Sequence, residues 1–467
     1  MSNYVNKSLI YFFTLLIVAP VVLFAQKVTI SGQAKGRVFE QIRVKVYADQ
    51  FSHLKKTIAQ TLTDEEGNFS LSFNYNKTNY AWLSVELLDG EFYLKPGASY
   101  RFDVFPDTSK KGSVYDQLPL QFNMVASDGG LNENLQQFNV LYNTFVVSHF
   151  DEIYRNRDLA VIFQLRKKVE EQFAGVDNLY FNTYVKYSMA QLEWVSKKKS
   201  TKTIVKEYFA NKPVYYNNIQ YTDFFHAVFK EYVVRQFYGR YFNQLVEAVR
   251  AGSLSGFKAV FLKDSLLAGD KKLMELVMMQ TVAGYYGNPD FSKEGVLKIL
   301  KQIKKQSNNK LNAKIAGNYI LRLTHLSSGT PAPDFQLPVS SGKMLSPKDF
   351  MGQVVIFDFM KADCHVCLAH LDFLKDLASR MGNKLKIVML VYGSHPEKIT
   401  LLLKKQNLDW PVIYVGKRID VLDAYEVKIF PTYIILNPDA TIAIAPASMA
   451  DENLENEVKH VIKVNHQ

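Results

Sequence analysis

The stretch Val354-Val355-Ile356-Phe357-Asp358-Phe359-Met360-Lys361-Ala362-Asp363-Cys364-His365-Val366-Cys367 decides the reading of this chain. Its first half, Val354 to Phe359, is an almost unbroken apolar run and describes a strand covered on both faces. The segment Cys367 to Met381 then has the period of a helix. Cys364 thus stands where a strand gives way to a helix. A thiol just ahead of a first helical turn meets unpaired amide hydrogens and the positive end of the helix dipole, and both favour thiolate. Cys367, three residues on, is within reach to close a disulfide, and Cys364 is expected to be the more exposed, attacking sulfur.

These are the only two cysteines among 467 residues, so neither a disulfide framework nor a four-cysteine zinc site can be built. A metal half-site beside His365 and His370 would need two further ligands. A purely structural disulfide across two residues closes too small a loop to stabilise much. Inert buried thiols fit poorly in an oxidising compartment. A redox pair fits the placement best, and no metal or organic cofactor is expected.

Working outward, strands and helices alternate beyond the pair: Leu385 to Tyr392 and Val412 to Val415 as strands, Pro396 to Gln406 and Ile419 to Tyr425 as helices. A hairpin through Asn437-Pro438-Asp439 and a last helix from Asp451 follow. Near-continuous apolar strands between helices imply an α/β domain over 328–467, entered through a Ser327-Ser328-Gly329 hinge.

Residues 128–327 have helical period instead, with Tyr221, Phe224, Phe225, Val228, Tyr232 and Val233 on one face and Val296, Ile299, Leu300 and Ile303 on another. Eight or nine helices are expected, forming an all-α middle domain. Residues 26–127 alternate as half-buried strands through Val28 and Ile30, Ile42, Val44 and Val46, and Phe69, Leu71 and Phe73. They predict an antiparallel β-sandwich with turns at Asp64 to Asn68 and at Pro96-Gly97.

Residues 1–25 read as a signal peptide: Lys7 precedes the apolar run Leu9 to Phe24, and small Ala25 precedes Gln26. A retained anchor is the rival, although that run is shorter than the ~20 residues a span usually needs. The formal charge of +11 is concentrated in the middle, where residues 128–327 hold 28 basic and 18 acidic side chains. Lys197 to Lys199, Lys304 and Lys305 fall at helix ends or polar faces, so solvated helix surface is favoured over a nucleic-acid site.

The lead-in Gly329-Thr330-Pro331-Ala332-Pro333-Asp334-Phe335 with Leu337, then Ser346-Pro347-Lys348-Asp349-Phe350, resembles that of the TlpA/ResA-type thioredoxin family. The strand before the cysteines, and Tyr425-Glu426-Val427 followed by Phe430-Pro431-Thr432, resemble the same family in the same order. Thr63 to Phe69 with a later Pro-Gly turn resembles the small β-sandwich often found ahead of such domains. The resemblance implies a thioredoxin-like fold for 328–467. It also implies a buried acid, Asp358, that takes the proton of Cys367, and a cis Pro431 that leaves the Phe430 backbone free to pair with substrate. Asp363 stands where the family usually has tryptophan; its charge opposes thiolate at Cys364, whereas a protonated His365 favours it.

The function expected is that of an exported thiol-disulfide oxidoreductase of the periplasm or cell envelope. It would act on protein disulfides or thiols, with a membrane thiol carrier upstream as electron donor. One alternative is a peroxiredoxin-type peroxidase reacting at Cys367, against which Met360 and Cys364 replace its usual proline and threonine. The other is an envelope scaffold in which the redox domain is incidental.

Overall fold

A computed structural model describes residues 25–105 and 119–465; the expected signal peptide lies outside them except for Ala25. Eight strands come first: β1 (Gln26–Ala34), β2 (Gln41–Tyr47), β3 (Lys55–Leu62), β4 (Asn68–Tyr75), β5 (Asn79–Val85), β6 (Leu88–Leu94), β7 (Ser99–Val104) and β8 (Phe122–Ala126). They form two four-stranded sheets, ordered β4-β1-β7-β8 and β3-β2-β5-β6. Val28, Ile30, Ile42, Val44, Val46, Phe69 and Leu71 share one core, so the alternation correctly marked the inward faces. Asp64 folds the β3–β4 turn by accepting from the amides of Glu66 and Asn68. Gly67 holds φ 80°, and a Cβ there would lie 2.4 Å from the Ala34 carbonyl oxygen.

The antiparallel arrangement expected from sequence fails at one place: β1 and β7 pair in parallel, from Thr29 opposite Ser99 to Ala34 opposite Val104. Alternation reports which face a side chain takes and carries no information on strand direction. The five strands between β1 and β7 supply the long connection that a parallel pair requires.

From Leu131 to Thr324 the chain is helical, with eleven α-helices and two π segments, Asp151–Arg155 and Val234–Tyr238. The count exceeds eight or nine because Leu254–Phe261 and Ser265–Ala268 are separate short helices, capped by Ser253 and Asp264 and too short to display a period. The two apolar faces singled out in sequence meet in one core. Phe51, from the loop after β2, is buried in that core. Its loop is fixed there by Tyr319, whose hydroxyl donates to the Phe51 carbonyl at 2.8 Å, and by Asn318, whose amide donates to Asp49 at 2.7 Å.

The last part adds β9 (Leu337–Pro338), β10 (Met344–Leu345), β11 (Val354–Lys361), β12 (Leu385–Tyr392), β13 (Val412–Gly416), β14 (Thr432–Leu436) and β15 (Ile442–Ala447). The main sheet runs β13-β12-β11-β14-β15, with β11 parallel to β12 and antiparallel to β14. Ile356 and Met360 face the helices His365–Met381 and Leu454–Asn465, whereas Val355, Phe357 and Phe359 face Ile419–Ala424 and the lead-in residues Phe335 and Leu337. The Tyr425 hydroxyl fastens the lead-in by donating to the Pro333 carbonyl at 2.7 Å.

Candidate active site

The cysteine helix starts at His365, two residues earlier than its period suggested, because Cys364 is its N-cap. The Cys364 sulfur accepts the Cys367 amide hydrogen at 3.1 Å, so one orphan donor of the first turn is satisfied by sulfur. Cys364 and Cys367 are joined as a disulfide, with Cα atoms 5.2 Å apart. Cys367 is fully buried and Cys364 is half-buried, which matches the expectation that Cys364 is the more exposed of the two. Cys364 Sγ lies 3.8 Å from the Phe430 carbonyl oxygen, and the Phe430–Pro431 peptide is cis. The Phe430 ring stacks on Tyr392 with centroids 5.9 Å apart.

Asp358 lies between Ile356 and Met360 on the β11 face that packs with Cys367, since side chains two apart share a face. It is fully buried, and neither carboxyl oxygen has a hydrogen-bond partner among the described residues. Burial pushes its pKa from 3.8 up to about 8. Tyr433 is its directly opposed neighbour on β14. Burial, and then the Asp358 charge, push the Tyr433 phenol well above its ordinary range. The Tyr433 hydroxyl lies 3.0 Å from Nδ1 of buried His370, whose Nε2 is 3.7 Å from exposed Asp451.

Residues 328–445 match the AhpC/TSA family. Over 139 residues the chain is 25% identical to the thiol-disulfide oxidoreductase ResA of Bacillus subtilis (strain 168), a match covering 30% of this chain and 77% of that protein. ResA of Bacillus thuringiensis subsp. konkukian is 23% identical over 145 residues, covering 31% of this chain and 83% of its own. The C-terminal unit belongs to the thioredoxin-like thiol-disulfide oxidoreductases. Among solved structures, the thioredoxin domain of a thiol-disulfide oxidoreductase from Bacteroides vulgatus matches 29% of this chain and 98% of its own, at 24% identity and TM-score 0.27. A thiol:disulfide interchange protein from Bacteroides sp. matches 30% and 93%, at 24% identity and TM-score 0.27.

Within the thioredoxin-like unit, five of the expected site residues converge: Cys364, Cys367, Asp358, Phe430 and Pro431. Asp363 and His365 do not join them. Both are exposed, and neither side chain makes a hydrogen bond or ion pair among the described residues. Tyr433 and His370 are the members that sequence reasoning did not assign to the redox site. Their signals were spacing: His370 is one turn beyond Cys367 on the apolar helix face, and Tyr433 is two residues after Pro431. Far from the pair, the basic excess of the middle is partly tied up. Lys199 is 2.9 Å from Glu193 and 2.6 Å from Glu207, and Lys197 is 3.0 Å from Glu231.

Proposed function

We propose that the chain is an exported oxidoreductase that reduces disulfides in proteins. The observation that carries this reading is the pairing of an outward Cys364 with a buried Cys367 above an unpartnered buried carboxyl. In the reduced protein the Cys364 thiolate attacks a substrate disulfide and expels one substrate thiolate, leaving a mixed disulfide. Cys367 sulfur then attacks Cys364 and the second substrate sulfur leaves. Two electrons pass from the dithiol to the substrate, and the Cys367 proton passes to Asp358 in its ionised fraction, which grows as pH approaches 8. A carboxyl pushed up to about 8 is close to an ordinary thiol at ~8.5, so this transfer is nearly balanced. The Phe430 carbonyl beside Cys364 is placed to accept from an extended substrate strand. Exposed Asp363 and His365 act on the Cys364 thiolate in opposite senses.

Export to the periplasm or cell envelope is supported by the Leu9 to Phe24 run and Ala25. No helix among the described residues is long and apolar enough to cross a membrane. A thiol carrier in the membrane would return the pair to its reduced form. The segments 26–127, read as a β-sandwich, and 128–327, read as a helical companion, would be separate domains attached to the oxidoreductase.

A peroxidase is the second enzymatic reading, and it requires peroxide to reach Cys367. That sulfur is fully buried behind Cys364, which disfavours it. The deciding experiment is trapping with Cys367→Ser, which leaves the mixed disulfide unresolved. Polypeptides should accumulate covalently on Cys364 and be released by dithiothreitol. Rapid peroxide consumption by the parent protein, with no polypeptide trapped on the variant, would overturn the proposal.

A further inference from the structure

The hairpin joining β5 to β6 turns through only two residues, Glu86 and Leu87, and its tip is seated on the oxidoreductase unit. Glu86 holds φ 50°, a left-handed conformation that glycine adopts freely and other residues seldom do. Leu87 packs into the core of Phe357, Phe359, Tyr392 and Tyr425. Arg43, 1% exposed, donates to the Glu86 carbonyl and to the carboxylate of Asp423 in the oxidoreductase. The Glu86 carboxylate accepts from Arg37 at 3.2 Å and from Lys361 at 3.3 Å.

Lys361 is the last residue of β11, three before Cys364. Its ammonium nitrogen lies 5.4 Å from the Tyr392 ring centroid and 5.5 Å from that of Phe430. Its carbonyl accepts the Cys364 amide hydrogen at 3.2 Å. A continuous set of contacts therefore runs from the tip of the β5–β6 hairpin, through one lysine, to both sides of the redox sulfur. A lone lysine has many rotamers, and the Glu86 carboxylate selects the one that covers the stacked Tyr392–Phe430 pair.

Resting on the redox reading above, we infer that Glu86 and Lys361 are positioning residues. They hold Phe430, whose carbonyl lies beside Cys364, so that it can receive an extended polypeptide. The N-terminal β unit is thereby part of the wall that docks protein substrates. A small disulfide makes no strand contact with Phe430 and has no need of this wall.

The test uses the full chain with dithiothreitol as electron source and two substrates, insulin and the uncharged bis(2-hydroxyethyl) disulfide. Glu86→Gln and Lys361→Met should each raise the KM for insulin about three- to tenfold, the size expected for losing one partly desolvated cation–ring contact. The kcat/KM for the small disulfide should stay within about twofold of the parent. Lys361→Arg, which keeps both the cation over the rings and the pairing with Glu86, should stay near the parent on both. Unchanged insulin KM in both variants, or equal losses on both substrates, would overturn the inference. A parent protein that reduces neither disulfide would instead defeat the redox reading, and this inference with it.

Discussion

Replacing Asp358 with Asn should stabilise the protein and slow its chemistry. In the folded chain burial holds the carboxyl protonated until about pH 8, whereas in the unfolded chain it ionises near 3.8. Below the unfolded value both states carry the proton and the residue is neutral towards stability. As pH rises from about 4 to about 8 the unfolded state loses its proton while the folded state keeps it, so stability falls, and above that window the loss is constant. At pH 7 the penalty is on the order of 4 kcal/mol as an upper bound, taking 1.36 kcal/mol per pKa unit. The Asn variant lacks it.

Because a chain with several units need not unfold in one step, the suitable assay is hydrogen exchange of the β11 segment Val354–Lys361 in the oxidised protein, at pH 4, 6 and 8. Protection corrected for intrinsic exchange should be equal in parent and Asn variant at pH 4 and diverge in favour of the variant as pH rises. In the reduced enzyme, release of the mixed disulfide should be slower in the variant by ~10²-fold, with formation at Cys364 nearly unchanged. Parallel protection curves at all three pH values would mean that the carboxyl ionises freely in the fold. The reasoning from burial would then be refuted, together with the proton-acceptor role built on it.

In the reduced protein Cys364 should be alkylated first by iodoacetamide, since it caps the helix and is the more exposed sulfur; faster labelling of Cys367, read by peptide mass spectrometry, would reverse the two roles. Phe51→Ala should lower the stability of the helical unit by about 3–5 kcal/mol, although Phe51 is carried by the β unit, because it empties a fully buried site. Unchanged thermal unfolding of the helical segment would show that its core closes without that ring.

The C-terminal fold could be read from sequence because each local signal agreed. The apolar run of β11 dictated a two-faced strand, and Cys364 then fell at a helix start whatever the precise boundary. Asp358 was legible as a lone carboxyl in an apolar strand, where it is costly without a task or partner, while its role beside Cys367 came only from the resemblance, and the face it shares with Ile356 and Met360 is seen in the structure. The parallel β1–β7 pair was not legible, since period two encodes a face and not a direction. Glu86, Lys361 and Tyr392 escaped notice because nothing local ties them. Glu86 and Lys361 are 275 residues apart and meet only through packing between units. Asp363 and His365 drew attention by adjacency to the cysteines, yet both point into solvent, where neighbours in sequence need not be neighbours in chemistry.

Only one of the two sulfurs reaches the surface, and this restricts the order of events as well as their chemistry. In the proposed reaction the electron donor and the electron acceptor both address Cys364, so they compete for one landing point and cannot be bound there together. A turnover built on such a site alternates strictly between two half-reactions, and an excess of either visitor obstructs the other. The rate would then be governed by how promptly each partner vacates the sulfur, so that departure matters as much as capture.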